Sequence, residues 1–152
     1  MDFKRWEVVI VEFGTPNTQL NKDSYKVTEI INEMHGINLG KEFSCKHYGI
    51  IISPTYLNKQ KVVILPISSK RDKYKCEFDN IYCLKTEKDF QKSREKYKFL
   101  SKPSIVLIND IRSLDITRIN KFIDKQGNIK EFFLEKKDQE GIKYKLKKFF
   151  IE

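Results

Sequence analysis

The sequence has no uninterrupted apolar run of about 18 residues, so it offers no candidate for a membrane-spanning helix. The apolar run near the N-terminus, Glu7 to Phe13, is too short and too closely bounded by acidic residues to be a secretion signal. We therefore expect no membrane association and a cytoplasmic location.

Cysteine and histidine are scarce, with three cysteines, two histidines and no CxxC pair. Because structural zinc is held by four Cys or His ligands, a zinc site is not expected, and neither is any other metal or cofactor. In a cytoplasmic protein we expect Cys45, Cys76 and Cys83 to be reduced thiols. Cys45 precedes Lys46 and His47, which leaves an activated thiolate as the alternative to a passive loop residue.

Basic residues are in clear excess. The 30 Lys and Arg against 21 Asp and Glu give a formal net charge of +9, which favours a polyanionic partner such as nucleic acid. A solubility adaptation is the alternative reading. With 152 residues, 39% of them hydrophobic, the chain is long enough for one domain, residues 1–152, around one packed core.

Short β-branched and apolar runs bounded by turn residues predict five or six strands. The predicted strands are Glu7 to Phe13, Tyr48 to Ser53, Val62 to Pro66, Lys75 to Leu84, Ser104 to Ile108 and Ile111 to Asp115, with brief pairing at Phe122 to Ile123. This pattern predicts a mainly β fold with some α structure, in which a compact antiparallel sheet curls into a small barrel.

Two helices are predicted beside the strands. Apolar residues at helical spacing place one at Asn21 to His35, between the first two strands, and the other covers Lys130 to Ile151, where Gly141 could break it. Thr86 to Phe99 reads as a polar, partly helical surface excursion. In the fourth strand, the candidate core residues are Cys76, Phe78, Ile81 and Tyr82.

The richest set of reactive side chains flanks strands two and three. Lys46 and His47 come just before strand two, and Ser68, Ser69 and Lys70 follow strand three. If these strands are antiparallel neighbours, the start of one lies beside the end of the other. An imidazole, two hydroxyls and several cations around one small space suit chemistry on a phosphodiester.

This order of motifs resembles the PemK/MazF toxins, a family of small endoribonucleases with an SH3-like barrel. The matching pieces are KRWEVVIVEFG (Lys4 to Gly14), GKEFSCKHYGIIISP (Gly40 to Pro54), VVILPISSK (Val62 to Lys70) and PSIVLINDIRSLD (Pro103 to Asp115). The resemblance implies such a barrel here. The helix inserted between the first two strands and the C-terminal helix are predicted from the sequence pattern, as above.

Residue by residue, Glu42 matches the family's loop glutamate, and Ser68 stands where the family commonly has a threonine. His47 stands where the family commonly has its catalytic arginine, which changes the usual division of acid, base and charge stabilisation. Ile111 to Ser113 matches the family's late Ile-Arg-Thr. The insertion between the first two strands is longer than usual in the family.

The fold also serves toxins neutralised by a structured RNA, of the ToxN, AbiQ and CptN kind, to which the Ser68 to Lys70 run looks similar. Together with the +9 charge, this favours an RNA antitoxin (type III) over a protein one (type II). The expected partners are an RNA substrate, either mRNA or antitoxin precursor, and an antitoxin, with a homo-oligomer or a closed toxin–RNA assembly as the expected state. A non-catalytic gyrase inhibitor and a plain RNA-binding module remain alternatives.

For such an enzyme, the nucleophile is the 2′-hydroxyl of the RNA, so cleavage needs no metal and leaves a 2′,3′-cyclic phosphate and a 5′-hydroxyl. His47, whose ordinary pKa is about 6.5, is the predicted acid or base. Lys46 would stabilise charge, Ser68 and Ser69 would donate to phosphate oxygens, and Glu42 would orient His47 or act as the base.

Further side chains are predicted to contact the RNA backbone or bases. They are Lys4, Arg5, Tyr25, Tyr48, Lys70, Arg71, Lys73 and Arg112. For Arg112, a structural ion pair with Asp110 or Asp115 is the alternative interpretation.

Overall fold

The computed structural model of the chain describes residues 2–14, 46–69 and 76–151. The predicted helix Asn21 to His35 lies outside these residues. So do six single residues named above, namely Tyr25, Glu42, Cys45, Lys70, Arg71 and Lys73.

The described residues form ten strands and two α-helices. The strands are β1 (Glu7–Glu12), β2 (Lys46–Ile51), β3 (Lys61–Ser68), β4 (Ile81–Lys85), β5 (Ser104–Leu107), β6 (Arg112–Asp115), β7 (Ile119–Asn120), β8 (Phe122–Ile123), β9 (Ile129–Lys130) and β10 (Phe132–Phe133). The helices are α1 (Glu87–Phe90) and α2 (Lys136–Phe150), and short 3-10 turns cover Thr55–Leu57, Ile108–Asp110 and Ile116–Arg118.

The main sheet has the strand order β10-β1-β2-β3-β5-β4, with β6 also paired to β3 and β7 to β1. Each pairing among the described residues is antiparallel, and β8 and β9 form a separate two-stranded sheet. The predicted fold class is confirmed, because the chain is mainly an antiparallel sheet with a C-terminal helix, consistent with a PemK/MazF-type barrel.

The central strands are apolar on both faces. Along β1, Val8 packs in one core cluster with Ile50 and Leu65, whereas Val9 and Val11 pack in a second cluster on the opposite face. Successive side chains of a strand point to opposite faces, so burial on both sides requires the continuous β-branched run seen in this strand.

The C-terminal helix begins later than predicted. Phe132 and Phe133 are extended and pair with Val8 and Glu7 of β1, and the Leu134 amide donates to the Trp6 carbonyl at 3.0 Å. The apolar side chains of this stretch are too irregularly spaced to form one helix face. The extended stretch satisfies its backbone N–H and C=O groups by pairing with the open edge of β1. Gly141 does not break α2.

The fourth strand is shorter than predicted, because residues 76–80 form a turn before β4. Ile81 is buried and Tyr82 is half-buried, but Cys76 and Phe78 are exposed and are not core residues. The turn brings Cys76 to Cys83, and the two form a disulfide across a sequence separation of 7. The expectation of reduced thiols is therefore wrong for this pair.

In the part of the chain that the structure describes, we find no helix long and apolar enough to cross a membrane.

Candidate functional site

The pairing between β2 and β3 ends in the middle of both strands. It runs from Ile51–Ile64 to Gly49–Pro66 and goes no further. Proline has no backbone N–H to donate, so Pro66 cannot continue the ladder. Beyond it, Ile67 and Ser68 of β3 pair only with β5, which lies on the other side of β3 from β2, and the start of β2 and the end of β3 separate.

A cavity of about 480 Å³ opens at this separation. Its walls come from β1, β2, the end of β3 and the segment before β5. The lining residues are Ile10, Lys46, His47, Tyr48, Ile67, Ser68, Ser69, Leu100, Ser101, Lys102 and Ser104. The structure thus brings together five residues named from the sequence: Lys46, His47, Tyr48, Ser68 and Ser69.

Burial differs among these side chains. Lys46 and Ser69 are exposed, His47 is half-buried, and Ser68 is 5% exposed at the end of β3. The imidazole ring of His47 lies 6.3 Å from the ring of Phe13 between centroids, tilted by 55°. A half-buried imidazole beside an apolar ring has one restricted side and one side that can face the cavity.

Tyr48 joins the cavity to a group of aromatic rings. Its ring stacks on Phe122 with centroids 5.4 Å apart and meets the edge of Phe99 at 5.6 Å. Phe99 and Phe122 both lie 5.0 Å from Phe132. These contacts fix the Tyr48 ring, so the cavity has a rigid aromatic side.

One wall of the cavity was missed by sequence reasoning. It is the segment from Leu100 to Ser104, which contributes Leu100, Ser101, Lys102 and Ser104 to the lining. A signal was present, because Ser101-Lys102-Pro103-Ser104 combines hydroxyls with a cation next to a strand, as Ser68-Ser69-Lys70 does. The sequence does not show that this segment lies beside the end of β3, because that placement depends on the pairing of β5 with β3.

Two predicted RNA contacts, Lys4 and Arg5, do not line the cavity. They precede β1 at its far end, where the Arg5 Nε donates to the Ile52 carbonyl at 3.0 Å. The Lys4 ammonium forms an ion pair of 3.1 Å with Glu131. Glu131 also pairs with the buried Lys121, whose ammonium lies 3.2 Å from Glu7. In this network, Lys4 supports the attachment of β10 to the edge of β1.

Arg112 lies on β6, outside the first cavity, and lines a second one of about 640 Å³. Its guanidinium carbon is 5.3 Å from the centroid of the Phe13 ring, the same ring that the His47 imidazole approaches from the first cavity. Among the described residues, Arg112 forms no ion pair with Asp110 or Asp115, contrary to the alternative interpretation. Burial raises the pKa of Asp110, and the charge of Arg112 partly opposes this rise.

None of the described residues that line the first cavity is acidic, whereas two of them, Lys46 and Lys102, are cations. Serine hydroxyls and the His47 imidazole supply hydrogen-bond donors around the same space. Such a set can hold an anion, exchange a proton with it and stabilise extra charge on it. Nowhere in the described ranges do three or more His, Cys, Asp or Glu side chains form a group that could hold a metal ion.

Comparison with known proteins agrees with this architecture. A crystal structure of MazF (Form-I) from Deinococcus radiodurans superposes with a TM-score of 0.54 at 15% sequence identity, covering 97% of this chain and 96% of the other. At that identity the likeness concerns the fold alone. No curated protein matches the sequence.

A family model does match. It covers residues 31–150, most of the chain, and describes the PemK-like, MazF-like toxin of type II toxin–antitoxin systems. The match spans β2 to α2 and includes the described walls of the cavity from β2, β3 and the segment before β5. The chain therefore belongs to the family of PemK-like, MazF-like toxins.

Proposed function

We propose that this toxin is a metal-independent endoribonuclease that cleaves RNA in the cavity between β2, β3 and the Leu100–Ser104 segment. Membership of the toxin family supports RNA cleavage in general and an antitoxin as partner. The observation that carries the specific proposal is that His47, Lys46, Ser68 and Ser69 line one cavity without an acidic residue among its described lining.

The reaction uses a nucleophile that RNA itself carries. The 2′-hydroxyl loses its proton and attacks the adjacent phosphorus, and the bond from phosphorus to the 5′-oxygen of the next nucleotide breaks. The departing 5′-oxygen takes up a proton. The products are a 2′,3′-cyclic phosphate and a 5′-hydroxyl, so atoms and charge balance without a protein nucleophile.

The chain's residues then have three tasks. His47 exchanges a proton with the 2′-hydroxyl or the leaving 5′-oxygen, because an imidazole can both accept and donate a proton. The Lys46 ammonium offsets the charge that grows on the phosphate, as a compact cation. Ser68 and Ser69 donate hydrogen bonds to the non-bridging oxygens, where donors fixed in advance are most effective.

The direct test uses purified protein and a labelled RNA strand in the presence of EDTA. Cleavage with cyclic phosphate ends is expected, and a matched strand with 2′-O-methyl riboses should remain intact. Intact RNA after incubation with correctly folded protein would overturn the proposal. If the protein still arrested growth in that case, the gyrase inhibitor would be favoured. If the protein bound the RNA without cleaving it, the RNA-binding module would be favoured.

The antitoxin is a separate question. We propose a protein antitoxin, the type II alternative, because the matched family is described by that type and the RNA-antitoxin expectation rests on net charge and a short serine–lysine run. The natively purified complex should release active toxin after protease treatment of the antitoxin and not after ribonuclease. Release of active toxin by ribonuclease alone would instead support an RNA antitoxin.

A further inference from the structure

The segment Leu100–Ser104 forms a cavity wall in which the family resemblance assigned no catalytic or RNA-binding residue. Ser104 begins β5 and lies opposite Lys85 of β4, after an irregularity in the pairing between Cys83 and Lys85. Lys102 is exposed and is a lining residue of the cavity, as is Lys46.

This wall is held in place by a buried lysine. The Lys85 side chain is fully buried, and its ammonium donates to the Tyr97 carbonyl at 3.0 Å and to the Leu100 carbonyl at 2.8 Å. The same ammonium forms an ion pair of 2.7 Å with Glu95 and lies 4.1 Å above the Phe90 ring. A buried cation satisfied in this way fixes the chain that supplies its acceptors.

A second set of contacts fixes the chain just before the wall. The hydroxyls of Tyr97 and Tyr82 each donate to the buried carboxylate of Asp138 at 2.6 Å, which ties this chain to α2. Tyr97 has a φ of 49°, a backbone conformation that only strong surrounding contacts maintain. At the wall itself, the Ser104 hydroxyl donates to the Lys102 carbonyl at 2.8 Å.

Within the described part of the chain, the cavity carries positive charge without a balancing carboxylate. Among the described residues, neither the Lys46 nor the Lys102 ammonium has a carboxylate partner, and no described lining residue is acidic. Two like charges at one cavity repel each other, and a phosphate bound between them would be attracted by both. The rigid wall means that Lys102 is presented to the ligand with little further ordering of its backbone.

We propose that Lys102 is a substrate-binding residue that contacts a backbone phosphate of the RNA from the wall opposite Lys46. The proposal rests on the proposed function and adds to it a cation from the segment before β5. RNA then lies between two cationic walls, with His47 and the serines at the phosphate to be cleaved.

The test measures binding rather than cleavage. The probe is a fluorescently labelled RNA strand with 2′-O-methyl riboses, which cannot be cleaved through the 2′-hydroxyl, titrated over a series of KCl concentrations. Loss of one phosphate contact should reduce the slope of log K against log salt by about 0.7 for single-stranded RNA. We expect this reduction for Lys102→Met and not for Lys102→Arg, which keeps the charge.

Lys125→Met is the matched control, because Lys125 is an exposed lysine in the turn between β8 and β9, away from the cavity lining. An unchanged slope for Lys102→Met, or equal reductions for Lys102→Met and Lys125→Met, would overturn the proposal. So would a wild-type protein that fails to bind the strand. Failure of the proposed function would give a different result, in which the wild-type protein binds RNA but leaves a cleavable strand intact.

Discussion

Gly49 of β2 lies directly opposite Pro66 of β3, and the pairing of the two strands ends at these residues. The proline removes a hydrogen-bond donor from the ladder. The glycine allows close packing, because a Cβ built on it would lie 2.7 Å from the Ile64 Cγ2 and 2.9 Å from the Val11 Cγ2. The pair therefore holds the strands tightly together up to the point where the cavity begins.

Gly49→Ala should destabilise the protein by about 1–3 kcal/mol, because the added methyl group must displace buried side chains on two strands. Urea unfolding followed by circular dichroism measures the change. Ser113→Ala on the exposed face of β6 is the control, with an expected effect within about 0.5 kcal/mol. Equal stabilities of the two variants would show that the space beside Gly49 can relax.

His47→Ala should lower the rate of RNA cleavage by about 10²–10⁴-fold, the usual contribution of a general acid or base. Single-turnover cleavage of a labelled RNA measures the rate. The variant should still bind the 2′-O-methyl strand, since the cations of the cavity remain. A rate within threefold of the wild type would remove His47 from the chemistry.

Ser68→Ala should lower the rate by about 10²–10³-fold if its hydroxyl donates to the phosphate in the transition state. The separation of kcat from KM is informative, because a contact made only in the transition state lowers kcat and leaves KM unchanged. A rise in KM alone would instead place Ser68 in substrate binding. Ser69→Ala is the comparison variant, because Ser69 is exposed whereas Ser68 is buried.

Asp110→Asn should stabilise the protein at neutral pH. Burial raises the pKa of Asp110 in the folded state, so folding favours its protonated form. The stability that Asp110 contributes is present below its ordinary pKa and is lost as pH rises through the folded value. The gain from Asn should therefore appear in urea unfolding at pH 7 and disappear at pH 3. A gain of equal size at both pH values would contradict a role for ionisation.

Reduction of the Cys76–Cys83 disulfide should lower the free energy of unfolding by about 2–3 kcal/mol, as expected for opening a short closed loop. Thermal unfolding with and without a reducing agent measures the effect. A double Cys76→Ser, Cys83→Ser variant should be insensitive to the reagent and match the reduced protein. No difference between the oxidised and reduced wild type would mean that the bond adds no stability.

Local patterns were sufficient for the central strands. The β-branched run of β1 and the apolar runs of β2 and β3 are each buried on both faces, so their sequences identify them without knowledge of their neighbours. The start of α2 was missed because Phe132 and Phe133 gain their extended form from β1, more than a hundred residues away in sequence. The disulfide was missed because composition gives no information on which cysteines a turn brings together.

The sequence alone determined the fold class and the resemblance to the toxin family, since periodicity and local motifs encode these features. It also identified Lys46, His47, Ser68 and Ser69 as candidate site residues. Only the tertiary structure decided that these residues share a cavity with Lys102 and that Lys4 and Arg5 do not reach it. The physical reason is that strand register and the departure of β3 from β2 after Pro66 are set by pairing between distant segments.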